Sequence, residues 1–245
     1  MEVPTRAAQV LAGRVVLITG AHGGLGEAAA KACTQAGATV ILLGRRPPKL
    51  NRVYDVCAAL GPEPVMYPLD LEGAAPDDYA ELAQRIASQL GRLDGVLHCA
   101  AEFRGLTPLE HTDPAAFARA IHVNLTAAWW LSQACLPLLR AAPDSALVFA
   151  LDDPRRIAHA YWGGYGLAQQ GLRGLVHMLH EELAASPVRV AALQPGPMRT
   201  RLRARAYAED TDPALADASD YARHCVTLLS PEGASRRGQV WNPLA

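Results

Sequence analysis

Six short apolar runs, VVLIT, TVILL, PVMY, GVLHCA, ALVFA and VRVAAL, recur along the chain with helix-length amphipathic stretches between them. That alternation constrains the fold more than any other feature. The runs are near-continuously apolar, as strands are when both faces are covered, and helical crossovers between parallel strands supply such cover. A doubly wound parallel α/β sheet with helices on both faces follows, of about seven strands if GQVWNP near the C-terminus forms the last one. Helices are expected over Gly24–Ala36, Lys49–Leu60, Asp77–Leu90, Pro114–Leu139, Tyr161–Ser186 and Ala216–Leu229. Gly37 stops the first, because glycine tolerates the positive φ of a helix C-terminus, and Thr112 or Asp113 caps the fourth ahead of a first-turn proline, Pro114.

The 245 residues lie within the range that such folds occupy as one domain, so residues 1–245 are read as a single unit. No apolar run approaches the roughly 18 residues that a membrane span requires. The opening MEVPTRAAQVLAG lacks a secretory signal, which points to the cytoplasm. With 23 Lys+Arg against 24 Asp+Glu, the net charge of -1 gives no electrostatic reason to expect nucleic acid or an anionic membrane as partner. Five widely spaced cysteines, without a Cys-x-x-Cys pair, suggest buried free thiols in a reducing compartment; no metal site is expected.

The segment VVLITGAHGGLGEAAAKA places Gly20, Gly24 and Gly26 between the first strand and an alanine-rich helix. Without side chains, such a loop can turn tightly and approach a diphosphate, whose charge is stabilised by free N–H groups at the helix N-terminus. Strand before, helix after and a place in the first βα unit favour dinucleotide binding over an ordinary turn. The second strand runs into ILLGRRPPKL, with no acid between Glu27 and Asp55 to accept a ribose 2′-hydroxyl. Arg45 and Arg46 stand there instead, and guanidinium groups bind a 2′-phosphate in forked geometry, so NADP(H) is expected over NAD(H). Two solvated loop arginines are the competing reading.

The spacing Thr-Gly-x-x-x-Gly-x-Gly, from Thr19 through Leu25 to Gly26, resembles the short-chain dehydrogenase/reductase family, a single-domain Rossmann fold. Asp70 in LDL resembles the acid that this family sets against adenine, Asn124 in HVNLTAAWWL its helix asparagine, and Pro195, Gly196 and Thr200 in QPGPMRT its motif beside the nicotinamide. RLDGVLH, LPLL and PGPMRTRLRARAY are most similar to a bacterial YciK-like branch. The resemblance implies hydride transfer between a nicotinamide and a small carbonyl or alcohol. It also implies a homodimer or homotetramer formed through the helices that carry Asn124 and Tyr165.

Tyr165 fits the family's proton-transferring tyrosine and Asn124 its water relay. Two further positions depart: the lysine four residues after the tyrosine is Gln169, and the serine thirteen before it is Asp152, while Cys99, Ala100 and Ala101 replace an Asn-Ala-Gly floor. A cation about 4 Å from a phenol, at an effective dielectric of about 20, is worth about 4 kcal/mol, close to three pKa units. Glutamine supplies none of that, although it can still bond a ribose hydroxyl. Loss of an oxyanion donor typically costs about 10²- to 10³-fold in rate. An ionised Asp152 would repel an alkoxide and raise the tyrosine's pKa; a protonated one could replace the serine donor, an alternative that the nearby Arg155 and Arg156 oppose. The reading is therefore an oxidoreductase with a weakened site, with an inactive NADP(H)-binding sensor or oligomer subunit as the alternative.

Several other residues have bland readings that compete with functional ones. Tyr161 is expected to pack at the start of its helix, and His159 to be solvated instead of serving as a substitute acid. His177 and His180 share a helix turn with Glu181 but lack a third ligand. Arg199, Arg201, Arg203 and Arg205 fall in an irregular stretch where residues 197–216 are expected to form a mobile cover or an exposed, charge-balanced helix. Trp129 and Trp130 are adjacent, so one faces the core while the other needs different cover.

Overall fold

A computed structural model describes residues 9–209 and 212–244. Six strands match the apolar runs: β1 (Val15–Thr19), β2 (Thr39–Gly44), β3 (Val65–Pro68), β4 (Gly95–His98), β5 (Ser145–Ala150) and β6 (Val188–Leu193). A two-residue pair, β7 (Met198–Arg199) and β8 (Ala216–Asp217), lies outside the main sheet, and β9 (Val240–Trp241) completes that sheet at one edge. The order β3-β2-β1-β4-β5-β6-β9 is parallel throughout. GQVWNP therefore does supply the seventh strand.

Successive strand residues face opposite layers, and two cores result. Val15 and Leu17 join one core with helices α3 (Pro76–Leu90), α5 (Ala127–Ala141) and α7 (Gly163–Glu182). Val16 and Ile18 join the other with α1 (Gly24–Gln35), α2 (Pro47–Ala58) and α9 (Ala218–Leu229). Between β1 and β4 the direction of winding reverses, and the crevice at the C-terminal ends of such neighbours is where open α/β sheets bind ligands. Here it opens beside Thr19, Gly20, Cys99 and Ala100.

Three local departures from expectation have identifiable causes. The long helix foreseen over Pro114–Leu139 is α4 (Pro114–Ile121), a π-turn over His122–Thr126, and then α5. Asn124 lies in that turn, and its amide nitrogen donates to Ala120 O and Glu102 O, both at 2.7 Å, holding the widened coil against the segment after β4. Asp113 is the cap of α4, accepting from the N–H groups of Ala115 and Ala116. In the second case, α2 starts at Pro47 because its two prolines suit a first turn, where their missing N–H groups cost nothing. Finally, α7 begins at Gly163, after Tyr161 has taken a φ of 77°. Tyr161 is 55% exposed, so the packing role expected for it is wrong: the left-handed backbone turns its ring outward. Between β7 and β8 lies α8 (Arg201–Ala206); residues 210 and 211 of the expected cover fall outside the described residues, as do residues 1–8 of the opening segment.

Candidate active site and cofactor cleft

Why the first crossover needs glycine is plain from its contacts. Gly20 has φ +65°, and a Cβ there would sit 2.8 Å from Ala100 Cα, where the loop crosses the end of β4. Gly26 lies beneath: its added Cβ would be 2.4 Å from Gly20 O, because α1 packs directly on the turn. Thr19 fixes the two strand ends together by accepting from the N–H groups of Cys99 and Ala100 at 3.1 and 3.0 Å. Gly23, Gly24 and Leu25 open α1 toward a cleft of about 710 Å³. Exposed backbone at a helix N-terminus is suited to a diphosphate.

The same cleft runs to Asp152, Tyr165 and Gln169. Asp152 follows β5 and acts as an acceptor at both oxygens. Oδ1 takes hydrogen bonds from the Arg156 guanidinium at 2.7 Å and the Asp153 N–H at 2.8 Å, and Oδ2 takes one from the Tyr165 hydroxyl at 3.2 Å. A neutral acid donating toward substrate does not match that arrangement. Gln169 Oε1 accepts from the Asp152 N–H at 2.9 Å, so the side chain braces the end of β5. Burial holds the Tyr165 phenol well above its usual pKa of 10, the Asp152 charge and hydrogen bond push it further, and Arg156 offsets them in part. Over the tyrosine lies an aromatic wall: Phe103 stacks on Trp162 with centroids 5.0 Å apart and tilts against Tyr165 at 5.1 Å, and Tyr207 reaches Trp162 at 6.3 Å.

Sequence comparison matches residues 14–211 to the family described as short chain dehydrogenase. The chain belongs to the short-chain dehydrogenase family. It is 33% identical to the uncharacterized oxidoreductase YciK of Escherichia coli K12 over 230 residues, 94% of this chain and 91% of that protein. Among solved structures, a short chain dehydrogenase from Salmonella enterica serovar Typhi superposes with a TM-score of 0.92 at 32% identity, covering 98% of this chain and 99% of that one. A Shigella flexneri short chain dehydrogenase complexed with NADP gives a TM-score of 0.92 at 32% identity, covering 97% and 99%.

Within this short-chain dehydrogenase the other expected site residues are distributed unevenly. Arg45 and Arg46 line the cleft beyond β2; Arg45 approaches Glu72 and Glu102 only at 3.9 Å. Asp70 is exposed at the rim and accepts from the Glu72 N–H at 3.2 Å. Pro195, Gly196 and Thr200 line the opposite wall, where Thr200 caps α8 through the Arg203 N–H. Asn124 lies in the π-turn at 1% exposure, where its side-chain oxygen accepts from the Glu102 N–H and its nitrogen donates to the Ala120 and Glu102 carbonyls. Arg199 pairs with Asp217 at 3.0 Å, and Arg203 lies over the Tyr207 ring at 4.5 Å. Among the described residues, no cluster of His, Cys, Asp and Glu could hold a metal ion.

Four contributors escaped the sequence reading. Phe103, Trp162 and Tyr207 come from three separate segments, and nothing in their spacing shows that they meet. His22 was visible inside the glycine loop itself, where a titratable side chain between glycines is a signal in its own right.

Proposed function

We propose that this short-chain dehydrogenase binds NADP(H) in preference to NAD(H) and interconverts a small carbonyl and alcohol at a depressed rate. When bound, the coenzyme supplies a hydride donor or acceptor; the residues present fit it at the tight turn of the first crossover, which a Cβ on Gly20 or Gly26 would force apart by meeting Ala100 or Gly20 backbone. Thr19, Gly20, Gly24, Leu25 and Gly26 would hold its diphosphate. Arg45 and Arg46 would take the 2′-phosphate, Asp70 the adenine, and Ala100, Pro195, Gly196 and Thr200 the nicotinamide half. The Shigella flexneri neighbour, complexed with NADP, supports the choice of dinucleotide.

The observation that carries the depressed rate is the hydrogen bond from Tyr165 to Asp152. A phenol whose proton is held by a carboxylate, with Gln169 where the family's lysine would stand, is a poor acid toward an oxyanion. Tyr165 remains the proton carrier in this reading and Asp152 the group that restrains it. Asn124 supports the water relay from the π-turn that its side chain holds, and Gln169 keeps its amide nitrogen for a ribose hydroxyl. A panel of ketones, aldehydes and alcohols with each coenzyme, followed by nicotinamide absorbance at high protein concentration, should reveal turnover that Tyr165→Phe abolishes.

A second reading is favoured by Gln169, whose oxygen is committed to the Asp152 backbone. In that case the protein binds NADP(H) as a sensor or an inactive subunit, and fluorescence titration finds tight NADPH binding with no turnover in the panel. Assembly as a homodimer or homotetramer is part of either reading, supported by exposed Trp129 on α5 and exposed Leu167 and Met178 on α7. Free cysteines, four of the five buried, fit a reducing cytoplasm.

A further inference from the structure

His22 sits in the glycine loop with its ring laid over Gly44, the last residue of β2; a Cβ there would lie 2.4 Å from Nδ1. Any side chain at residue 44 would expel the ring. Nδ1 is buried and has no hydrogen-bond partner among the described residues. Beside it the cleft is lined by Arg45, Arg46 and Lys49. Lys49 in turn has Arg201 and Arg52 as cationic neighbours. Arg46, Lys49, Arg52 and Arg201 form no ion pair among the described residues. Among the described residues the acid that acts on His22 is Glu27 of α1, which is itself paired with Lys31 at 2.6 Å. This corner therefore holds an excess of positive charge, which Glu27 and the loose Arg45 pairs with Glu72 and Glu102 offset only in part, and a buried imidazole nitrogen without a partner among the described residues.

We propose that His22 binds a 2′-phosphate as the imidazolium, so that the preference for 2′-phosphorylated over unphosphorylated adenosine sharpens as the pH falls through neutrality. The inference rests on the NADP(H) reading and adds to it a residue and a dependence that reading does not contain. In the empty corner, burial first and then Lys49, Arg46 and Arg45 lower the imidazole pKa below 6.5, and Glu27 offsets them in part. A dianion placed among the same groups reverses the balance, because it stabilises the charged ring that its neighbours had disfavoured. The pKa of the bound state then exceeds that of the free state. Affinity is lowest where the ring is neutral in both states. It climbs by up to about tenfold per pH unit as pH falls below the bound-state pKa, and levels off below the free-state pKa.

The test is calorimetric titration with adenosine 2′,5′-bisphosphate and with 5′-AMP, from about pH 8.5 to 6, on the unaltered protein and on His22→Gln. A phosphate monoester itself protonates near pH 6, but this is common to both proteins, so the quotient of their affinities isolates the ring. For the bisphosphate that quotient should rise at least about fivefold from pH 8.5 to 6.5, and for 5′-AMP it should stay level. Repeating the titration at pH 7 in two buffers of different ionisation heat should show proton uptake that His22→Gln removes. Should the variant not fold, histidine NMR titration of the unaltered protein decides: one imidazole midpoint must move up by about a unit when the bisphosphate is added. Parallel pH curves, or a midpoint that stays in place, overturn the proposal and leave the NADP(H) reading standing. If neither protein binds the bisphosphate at millimolar concentration while 5′-AMP binds, it is the NADP(H) reading that fails.

Discussion

The two ends of the cleft are built on one sheet, at the ends of β1 and β5 with β4 between them, yet they differ in what holds them. At the first crossover the constraints are backbone on backbone: Gly20 against Ala100, Gly26 against Gly20 O, and the Thr19 hydroxyl between β1 and the segment after β4. At the end of β5 they are side chain on side chain, with Asp152 accepting from Arg156 and Tyr165 while Gln169 accepts from the Asp152 backbone. Backbone packing admits no substitute for glycine, whereas a side-chain network can be rewired one residue at a time. A binding cradle can therefore persist while the acid–base chemistry beside it changes.

Breaking the cradle should have the largest effect. Gly26→Val forces the loop away from α1, and with two or more charge-assisted hydrogen bonds lost at about 1.5–3 kcal/mol each, NADPH affinity should fall roughly 10³-fold or beyond detection by fluorescence titration. A loss under tenfold would mean that the diphosphate lies elsewhere. Restoring the other end comes next. Asp152→Ser combined with Gln169→Lys supplies a donor and a cation, and should raise ketone reduction about 10²-fold over the unaltered protein. No gain would show that Phe103, Trp162 and Tyr207, rather than the missing groups, limit the chemistry.

A sharper division within the cradle comes from Arg45→Ala with Arg46→Ala. NADP(H) affinity should drop about thirtyfold, near 2 kcal/mol, with NAD(H) affinity changed little; equal losses for both would defeat the 2′-phosphate assignment. The last effect is on stability, the smallest over any one pH unit, and concerns the floor beneath both ends. His98, stacked on Phe149 and bonded to Ser132, is kept neutral by burial, which takes its pKa down to about 3. The unfolded chain, with an ordinary histidine pKa near 6.5, then binds the extra proton, so stability is full above pH 6.5 and falls as pH drops toward 3. The slope is at most about 1.4 kcal/mol per pH unit. His98→Phe should flatten that part of a urea-midpoint profile, and an unchanged profile would show that other groups carry the acid sensitivity.

Much of this could be read directly from residue order. Mostly apolar runs of four to six residues separated by helix-length stretches determined the sheet, its parallel sense and its two-sided cover, because strand and helix periodicities are local properties of the chain. The glycine spacing determined the cradle for the same reason: what matters there is the absence of a side chain, and absence needs no partner. The replacements at residues 152 and 169 were equally legible as residue types. What those residues do was decided only by tertiary packing. Whether Asp152 donates or accepts depends on Arg156 and Tyr165 meeting it in space, and whether Gln169 faces a ribose or the β5 backbone depends on how α7 lies against the sheet. Which groups the Asn124 amide bonds, Ala120 and Glu102, was decided by the π-turn. His22 became a candidate only when β2 brought Gly44 beneath its ring and two arginines and a lysine beside it. Charge, burial and hydrogen-bond direction are pairwise quantities. They take values only once the fold has chosen the pairs.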